Sequence, residues 1–361
     1  MDDSFFMKKV LGLAKRGTGR VNPNPRVGAL VVKDGEILSE GYHGFFGGPH
    51  AEINALSKLT SEECKNSTLY VNLEPCVHFG KTPPCTDTIL QSGIKRIVVG
   101  TVDPNPAVKG KGIQELKRAG IEVCVGVLEK ECSRLNESYF KYITKKKPFV
   151  TLKIAQTLDG KIATTQGYSR WITSEGSRRL VHRMRRESDA ILVGVNTVLT
   201  DDPELTVRLI RGDNVRRIVL DGLLRIPVEA RVLHHPDPLN TVIATTQKAP
   251  SDKIRVLDKM GVTLWIFDSN RNGMIDFSDL LEKMAEERIS SVLVEGGKTV
   301  FTSVLRTGEV DRVVVFIAPK FFGKGIDVFG DLSIDSPRDA ITFREMSWRR
   351  KGSDMVFDGR L

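Results

Sequence analysis

Pro49-His50-Ala51-Glu52, followed after a helix-length gap by Leu73-Glu74-Pro75-Cys76 and then by Cys85, is the stretch that decides how this chain is read. One histidine and two cysteines can furnish three ligands to a tetrahedral zinc and leave the fourth position to water. With His50 neutral and Cys76 and Cys85 as thiolates, the ligands balance the two positive charges of the ion. The ion still lowers the pKa of its water from about 16 to roughly neutral. Glu52, two residues past the histidine, is poorly placed as a fourth ligand and well placed to move protons beside that water. A structural zinc would need a fourth protein ligand, for which Cys64 and His78 are the candidates. Such a site gives no reason for the carboxylate after the histidine or for the proline before the first cysteine.

H-x-E followed by P-C and a second cysteine is the pattern of zinc deaminases acting on nucleobases, so a hydrolytic deaminase is expected. Most such enzymes close the site with C-x-x-C, whereas here Val77 to Pro84 separate the two cysteines. The loop Glu74-Pro75-Cys76-x-His78-x-Gly80-Lys81-Thr82-Pro83-Pro84-Cys85 resembles that of the bifunctional deaminase–reductase family of riboflavin biosynthesis.

A chain of 361 residues is long enough for two domains with separate cores. Its five cysteines are not the dense, even set of a secreted scaffold, and Cys124 is expected in a buried strand. The start Met1-Asp2-Asp3-Ser4 has no apolar signal core, and no apolar run is long enough to span a bilayer. A cytoplasmic location, without a membrane partner, is therefore expected. The net charge of +9 is dispersed and not interleaved with aromatic residues as a nucleic-acid groove requires. A small phosphorylated substrate accounts for it equally well, and no nucleic-acid partner is expected.

Apolar spacing predicts a helix over residues 3–16, a hairpin at 27–41, and a helix over 50–59 with His50 and Glu52 in its first turn. Strands follow at 68–73, 94–100 and 122–128, and helices at 86–92, 112–119 and 130–142. That order implies a mixed sheet covered by helices on both faces. Lys145-Lys146-Lys147-Pro148 is the boundary between residues 1–147, the deaminase domain, and residues 148–361, which the resemblance implies are a reductase domain. In the second part, strands are expected at 150–155, 190–195, 217–221, 241–245, 291–295, 312–318 and 355–357, in a largely parallel sheet. Ser174 is the expected N-cap of a helix at 175–186. Val294-Glu295-Gly296-Gly297 running into a helix suits an anion, while no G-x-G-x-x-G follows any strand.

The resemblance extends along the chain through Asn22-Pro23-Asn24-Pro25-x-Val27-Gly28, Gly41-Tyr42-His43, Asp103-Pro104-Asn105-Pro106, Leu158-Asp159-Gly160-Lys161, Trp171-Ile172-Thr173-Ser174, Asp201-Asp202-Pro203 and Ala318-Pro319-Lys320. It implies an α/β chain: a cytidine-deaminase-like α/β/α domain followed by a dihydrofolate-reductase-like α/β domain, one zinc per chain, NADPH and a homo-oligomer. The implied substrate is 2,5-diamino-6-ribosylamino-4(3H)-pyrimidinone 5′-phosphate, deaminated first and then reduced from ribosyl to ribityl.

Residue by residue, the resemblance places Asn24, His43, His78 and Lys81 at the deaminase substrate, with the last two near its phosphate. Lys153, Ser169, Arg185, Leu205, Arg208 and Glu295 fall at the reductase substrate. Ala155, Trp171, Thr197, Asp201 and the run Gly297, Lys298, Thr299, Val300, Phe301, Thr302 and Ser303 fall at the cofactor. Read without the family, Trp171 is a core anchor, Arg208 pairs with Asp201 or Asp202, and Arg178, Arg179, Arg183 and Arg186 form a solvated helix face. Val77 and Gly222 depart from the family by replacing serine. The competing enzyme reading is a deaminase of a nucleotide or tRNA base fused to an accessory domain. The competing non-enzyme reading is a nucleic-acid-binding protein with a structural zinc.

Overall fold

Strand β1 (Gly28–Lys33) buries Ala29 and Val31 on one face and Leu30 and Val32 on the other, so both sides of its sheet must be covered. In a computed structural model, which describes residues 2–77, 83–234, 240–270 and 273–361, the chain divides into two compact units, Met1–Lys147 and Pro148–Leu361. No helix among the described residues is long and apolar enough to cross a membrane.

The first unit adds α1 (Asp3–Ala14), β2 (Glu36–Tyr42), α2 (Ala51–Leu56), α3 (Ser61–Cys64), β3 (Thr68–Leu73) and α4 (Cys85–Ser92). It continues with β4 (Arg96–Thr101), α5 (Lys111–Arg118), β5 (Glu122–Val125), α6 (Glu129–Leu135) and α7 (Glu137–Lys145). Its sheet runs β2-β1-β3-β4-β5, antiparallel at β1 and parallel from β3 onward. Helices α2, α4 and α5 cover the Ala29 face, while α1 and α6 cover the Leu30 face. At Gly41 a Cβ would sit 2.3 Å from the carbonyl oxygen of Ala51, so only glycine lets α2 lie this close on β2.

The helix expected over 130–142 is two helices. Asn136, fully buried, accepts from the Arg26 N–H at 2.8 Å and donates to the Arg26 carbonyl at 3.0 Å, and its backbone leaves the helical region. Asn72 donates to the same carbonyl and accepts from the Gly28 N–H. These two side chains fix the loop that carries Asn24. The strand expected to reach residue 128 stops at Val125, because Gly126 and Leu128 take positive φ, and Cys124 is only partly buried. His50 is the residue before α2, not within it.

The second unit contains β6 (Phe149–Thr157), β7 (Lys161–Thr164), α8 (Glu175–Glu187), β8 (Ala190–Gly194), α9 (Val195–Asp201), β9 (Arg216–Leu220), β10 (Thr241–Thr246) and α10 (Ser251–Lys259). After these come β11 (Thr263–Phe267), α11 (Phe277–Glu286), β12 (Ser291–Gly296), α12 (Lys298–Arg306), β13 (Arg312–Ala318), β14 (Gly325–Asp327), β15 (Glu345–Lys351) and β16 (Asp354–Arg360). Among the described residues its main sheet has nine strands, ordered β11-β10-β9-β8-β12-β6-β13-β16-β15, parallel through β13 and closed by an antiparallel hairpin. β11 and β15, absent from the sequence reading, form its two edges, where exposure weakens the apolar signal. Ser174 caps α8 by accepting from the Ser177 N–H, as expected.

Asn136→Ala should remove both of its bonds to the partly buried Arg26 backbone and lower the unfolding free energy by about 1–3 kcal/mol. Denaturant melts would show this as a lower midpoint, and an unchanged midpoint would mean that the Asn136–Arg26 bonds are not what hold the loop.

Candidate active sites

In the first unit the parallel strands β3 and β4 end beside the start of α2, and that meeting point brings the metal triad together. His50 precedes α2, Cys76 lies three residues past β3, and Cys85 opens α4. Their ligand atoms all lie within 4.8 Å of one another, with His50 Nδ1 3.1 Å from Cys85 Sγ and 3.5 Å from Cys76 Sγ. A tetrahedral zinc with bonds of about 2.0–2.3 Å to nitrogen and sulfur needs edges of about 3.5–3.8 Å. The donor set fits zinc in chemistry, and the His50–Cys76 separation matches such an edge, while Cys85 Sγ lies closer to His50 than a bound ion would hold it. Among the described residues no fourth protein ligand joins the group: Cys64 is sealed in the core, and His78 and Lys81 lie outside the described residues. The backbone N–H of Cys85 donates to Cys76 Sγ at 3.4 Å, which favours the thiolate.

Glu52 is 3% exposed and stands in the first turn of α2, beside the triad but not within its ligand group. Burial pushes its carboxyl up to about 6. His43 is buried, and its Nδ1 lies 3.0 Å from the Pro49 carbonyl oxygen. A carbonyl can only accept, so Nδ1 carries the proton and Nε2 accepts from the Asn24 amide at 3.2 Å. Burial also lowers the His43 pKa, so the ring is neutral. Asn24, His43, His50, Glu52 and Cys76 line one cavity of about 280 Å³.

The sequence reading gave no role to Glu74, Asp103, Asn105 or Tyr139, which line the same cavity. Buried Glu74 accepts from the backbone N–H groups of Asp103, Gly110, Gly112 and Ile113, so its carboxylate shapes the loop between β4 and α5. Asp103, whose carboxyl is pushed up to about 6 by burial, accepts from the Tyr139 hydroxyl at 3.1 Å. The signal for Asp103 and Asn105 was the Asp103-Pro104-Asn105-Pro106 motif, whose prolines prescribe a loop beside β4.

In the second unit Glu295, near the end of β12, is the anchor. Its side chain is 6% exposed and accepts from Arg185 Nε at 2.5 Å and Nη2 at 2.9 Å, with Lys153 Nζ at 3.1 Å. Burial opposes ionisation of Glu295, but the charges of Arg185 and then Lys153 outweigh it and hold the carboxyl far below its usual range. Arg208 stands near them, since its N–H donates to Nδ1 of the buried His182. Its nearest acid is Glu204 at 3.8 Å, not Asp201 or Asp202. Asp202 accepts from the Arg231 N–H, and Asp201 accepts from the Ser169 hydroxyl and, through its carbonyl, from Arg170. Leu205 is buried in the core at φ +52°.

A second cavity, of about 890 Å³, opens where β8, β9 and β12 end. Thr197, Asp201, Gly297, Lys298, Thr299, Val300 and Ser303 line it together with Ser169. Phe301 and Thr302 do not: on the other side of α12, Phe301 packs in the core and the Thr302 hydroxyl accepts from the Gly330 N–H. Ala155 is not on this wall either and packs against a core cluster instead. Trp171 is 60% exposed and lies outside this cavity's lining, its ring under the Arg178 guanidinium at 4.3 Å, so it is not a core anchor. Arg178 and Arg186 are likewise not simply solvated, since both donate to backbone carbonyls. The cavity volume, and Gly297 at φ +68° opening α12, fit a dinucleotide whose phosphates meet free backbone amides.

Family models match both parts of the chain, one described as the cytidine and deoxycytidylate deaminase zinc-binding region over residues 1–101 and one as the RibD C-terminal domain over residues 148–357. The riboflavin biosynthesis protein RibD of Aquifex aeolicus (strain VF5) is 48% identical over 355 residues, covering 98% of this chain and 97% of that protein. That of Escherichia coli (strain K12) is 38% identical, covering 98% of each. A solved structure from Thermotoga maritima is described as a diaminohydroxyphosphoribosylaminopyrimidine deaminase/5-amino-6-(5-phosphoribosylamino)uracil reductase. It matches with a TM-score of 0.85 and 41% identity, covering 99% of this chain and 98% of that one.

Glu295→Gln should leave Arg185 and Lys153 as buried cations without their counter-charge and destabilise the second unit by about 3–5 kcal/mol. Thermal melting would show the loss, and an unshifted transition would contradict the anchoring role.

Proposed function

The chain belongs to the RibD family of bifunctional riboflavin-biosynthesis deaminase–reductases, and from that premise we propose how its own residues divide the two reactions. The first unit is assigned the deamination of 2,5-diamino-6-ribosylamino-4(3H)-pyrimidinone 5′-phosphate, and the second the reduction of the product's ribosyl group. The observation that carries the reading is the triad of His50, Cys76 and Cys85 with the sealed carboxylate of Glu52 beside it, on a chain that also holds a dinucleotide-sized cavity.

His50, Cys76 and Cys85 would hold zinc, which supplies a water that ionises near neutral pH. Glu52 would pass one proton of that water to the ring nitrogen as the water oxygen bonds to the ring carbon. It would then carry the remaining hydroxyl proton to the amine, which leaves as ammonia when the carbon–nitrogen bond breaks. A carboxyl raised to about 6 can serve as base and afterwards as acid. Neutral His43 fixes the Asn24 amide, whose remaining N–H and carbonyl are left to the pyrimidine edge. His78 and Lys81 are assigned to the substrate phosphate on the family pattern.

In the second unit NADPH supplies the hydride, and the protein positions the sugar carbon against it. Arg208, half-exposed and only loosely paired with Glu204, is the phosphate clamp of this reading. Glu295 holds Lys153 and Arg185 in fixed directions beside it, so that their remaining N–H groups meet the ribosyl hydroxyls. Ser169, held by Asp201, completes the side nearest the cofactor cavity.

Glu52→Gln should keep about one zinc per chain while ammonia release falls by roughly a hundredfold or more, with NADPH oxidation on the deaminated intermediate unaffected. Metal analysis and the two assays on one preparation test this. Loss of zinc would make Glu52 a ligand, and undiminished ammonia release would remove it from the reaction.

A further inference from the structure

The cavity at the ends of β8, β9 and β12 has two features that attract anions, and they stand on different walls. One is the start of α12, where Gly297 exposes backbone amides. The other is Arg225, in the turn that follows β9.

That turn is built to hold its arginine still. Asp221, 1% exposed, donates its N–H to the Ala244 carbonyl at 2.9 Å and accepts from the Leu224 N–H at 3.1 Å through its own carbonyl. Its Oδ2 accepts from the Ile226 N–H at 2.7 Å. Leu224, at φ +50°, is buried in the core, as is Ile226, so the residues on both sides of Arg225 are anchored. From this base Arg225 Nη2 donates to Asn196 Oδ1 at 2.8 Å. Asn196 is neutral, and Arg225 meets no carboxylate among the described residues. A guanidinium tied by an amide keeps its full charge and most of its five N–H donors for another partner.

The other acids on the wall do not cancel that charge. Asp276 caps α11 through the Ser278 N–H, Asp201 is held by Ser169, and Asp221 is turned into its own loop. NADPH carries two separated anionic groups, the pyrophosphate and a phosphate ester on the adenosine ribose, whereas NADH carries only the first. With the pyrophosphate at the amides of α12, the ester is the group left for a second cation.

We propose that Arg225, steadied by Asn196, is the residue that selects NADPH over NADH by clamping the phosphate ester on the adenosine ribose. This rests on the reading that the cavity takes the dinucleotide.

The test is calorimetric titration of NADP⁺ and of NAD⁺ into wild type, Arg225→Gln and Arg225→Lys, with melting curves for each. Arg225→Gln should raise the Kd for NADP⁺ by roughly ten- to a hundredfold, the loss of one or two charge-assisted bonds, and leave the Kd for NAD⁺ in place. Arg225→Lys, which keeps the charge without the fork, should give an intermediate ratio of the two Kd values. An unchanged NADP⁺ affinity, or an equal loss for both dinucleotides, overturns the proposal. If the glutamine variant melts well below wild type, the lysine variant decides, and an unaltered ratio there overturns the proposal. Wild-type protein that binds neither dinucleotide would show instead that the cavity is not the cofactor site.

Discussion

A charge removed from water must be met by an opposite charge or by hydrogen-bond donors, because the bare cost of burial is several kcal/mol. Both units are organised by that requirement. Glu74 is met by four backbone N–H groups and thereby shapes one wall of the deaminase cavity. Glu295 is met by Arg185 and Lys153 and thereby fixes two largely buried cations in place. Glu52 is sealed beside a histidine and two cysteines whose chemistry calls for a divalent cation. Glu74 and Glu295 thus turn a loop and two long side chains into parts of rigid sites.

Strand direction decides where these carboxylates stand. Parallel strands bring their carboxyl ends to one edge, and the helices that follow bring their amino ends to the same edge. In the first unit that edge joins Glu74 and Cys76 after β3 with Cys85 at the start of α4. In the second, β12 returns between β8 and β6, and the chain leaves β8 toward β9 but leaves β12 toward β13 on the opposite side, with a large opening at their ends. One architectural rule thus serves two chemistries with unrelated residues.

Much of this was legible in the sequence. The strands were readable because buried parallel strands are nearly continuous apolar runs, and the triad because histidine, glutamate and cysteine at that spacing have few other uses. What escaped depends on contacts far apart in sequence. Nothing local reveals that Asn136 pairs with Arg26 and splits a helix, since the run around it has unbroken helical periodicity. The cofactor run after Glu295 was read as continuous, but a helix shows only one side to a cavity, so Phe301 and Thr302 face elsewhere. Asp201 and Asp202 looked like partners for Arg208 because they are close in sequence, yet both are engaged by other residues.

Two chemistries reside on one chain, and only one of them needs the metal. The most direct test is to strip the zinc with a chelator and follow ammonia release and NADPH oxidation on the same preparation. Ammonia release from the diaminopyrimidine should vanish and return when zinc is restored, while reduction of the already deaminated intermediate continues at its original rate. Loss of both reactions in protein that stays folded, or persistence of ammonia release without metal, would contradict the account.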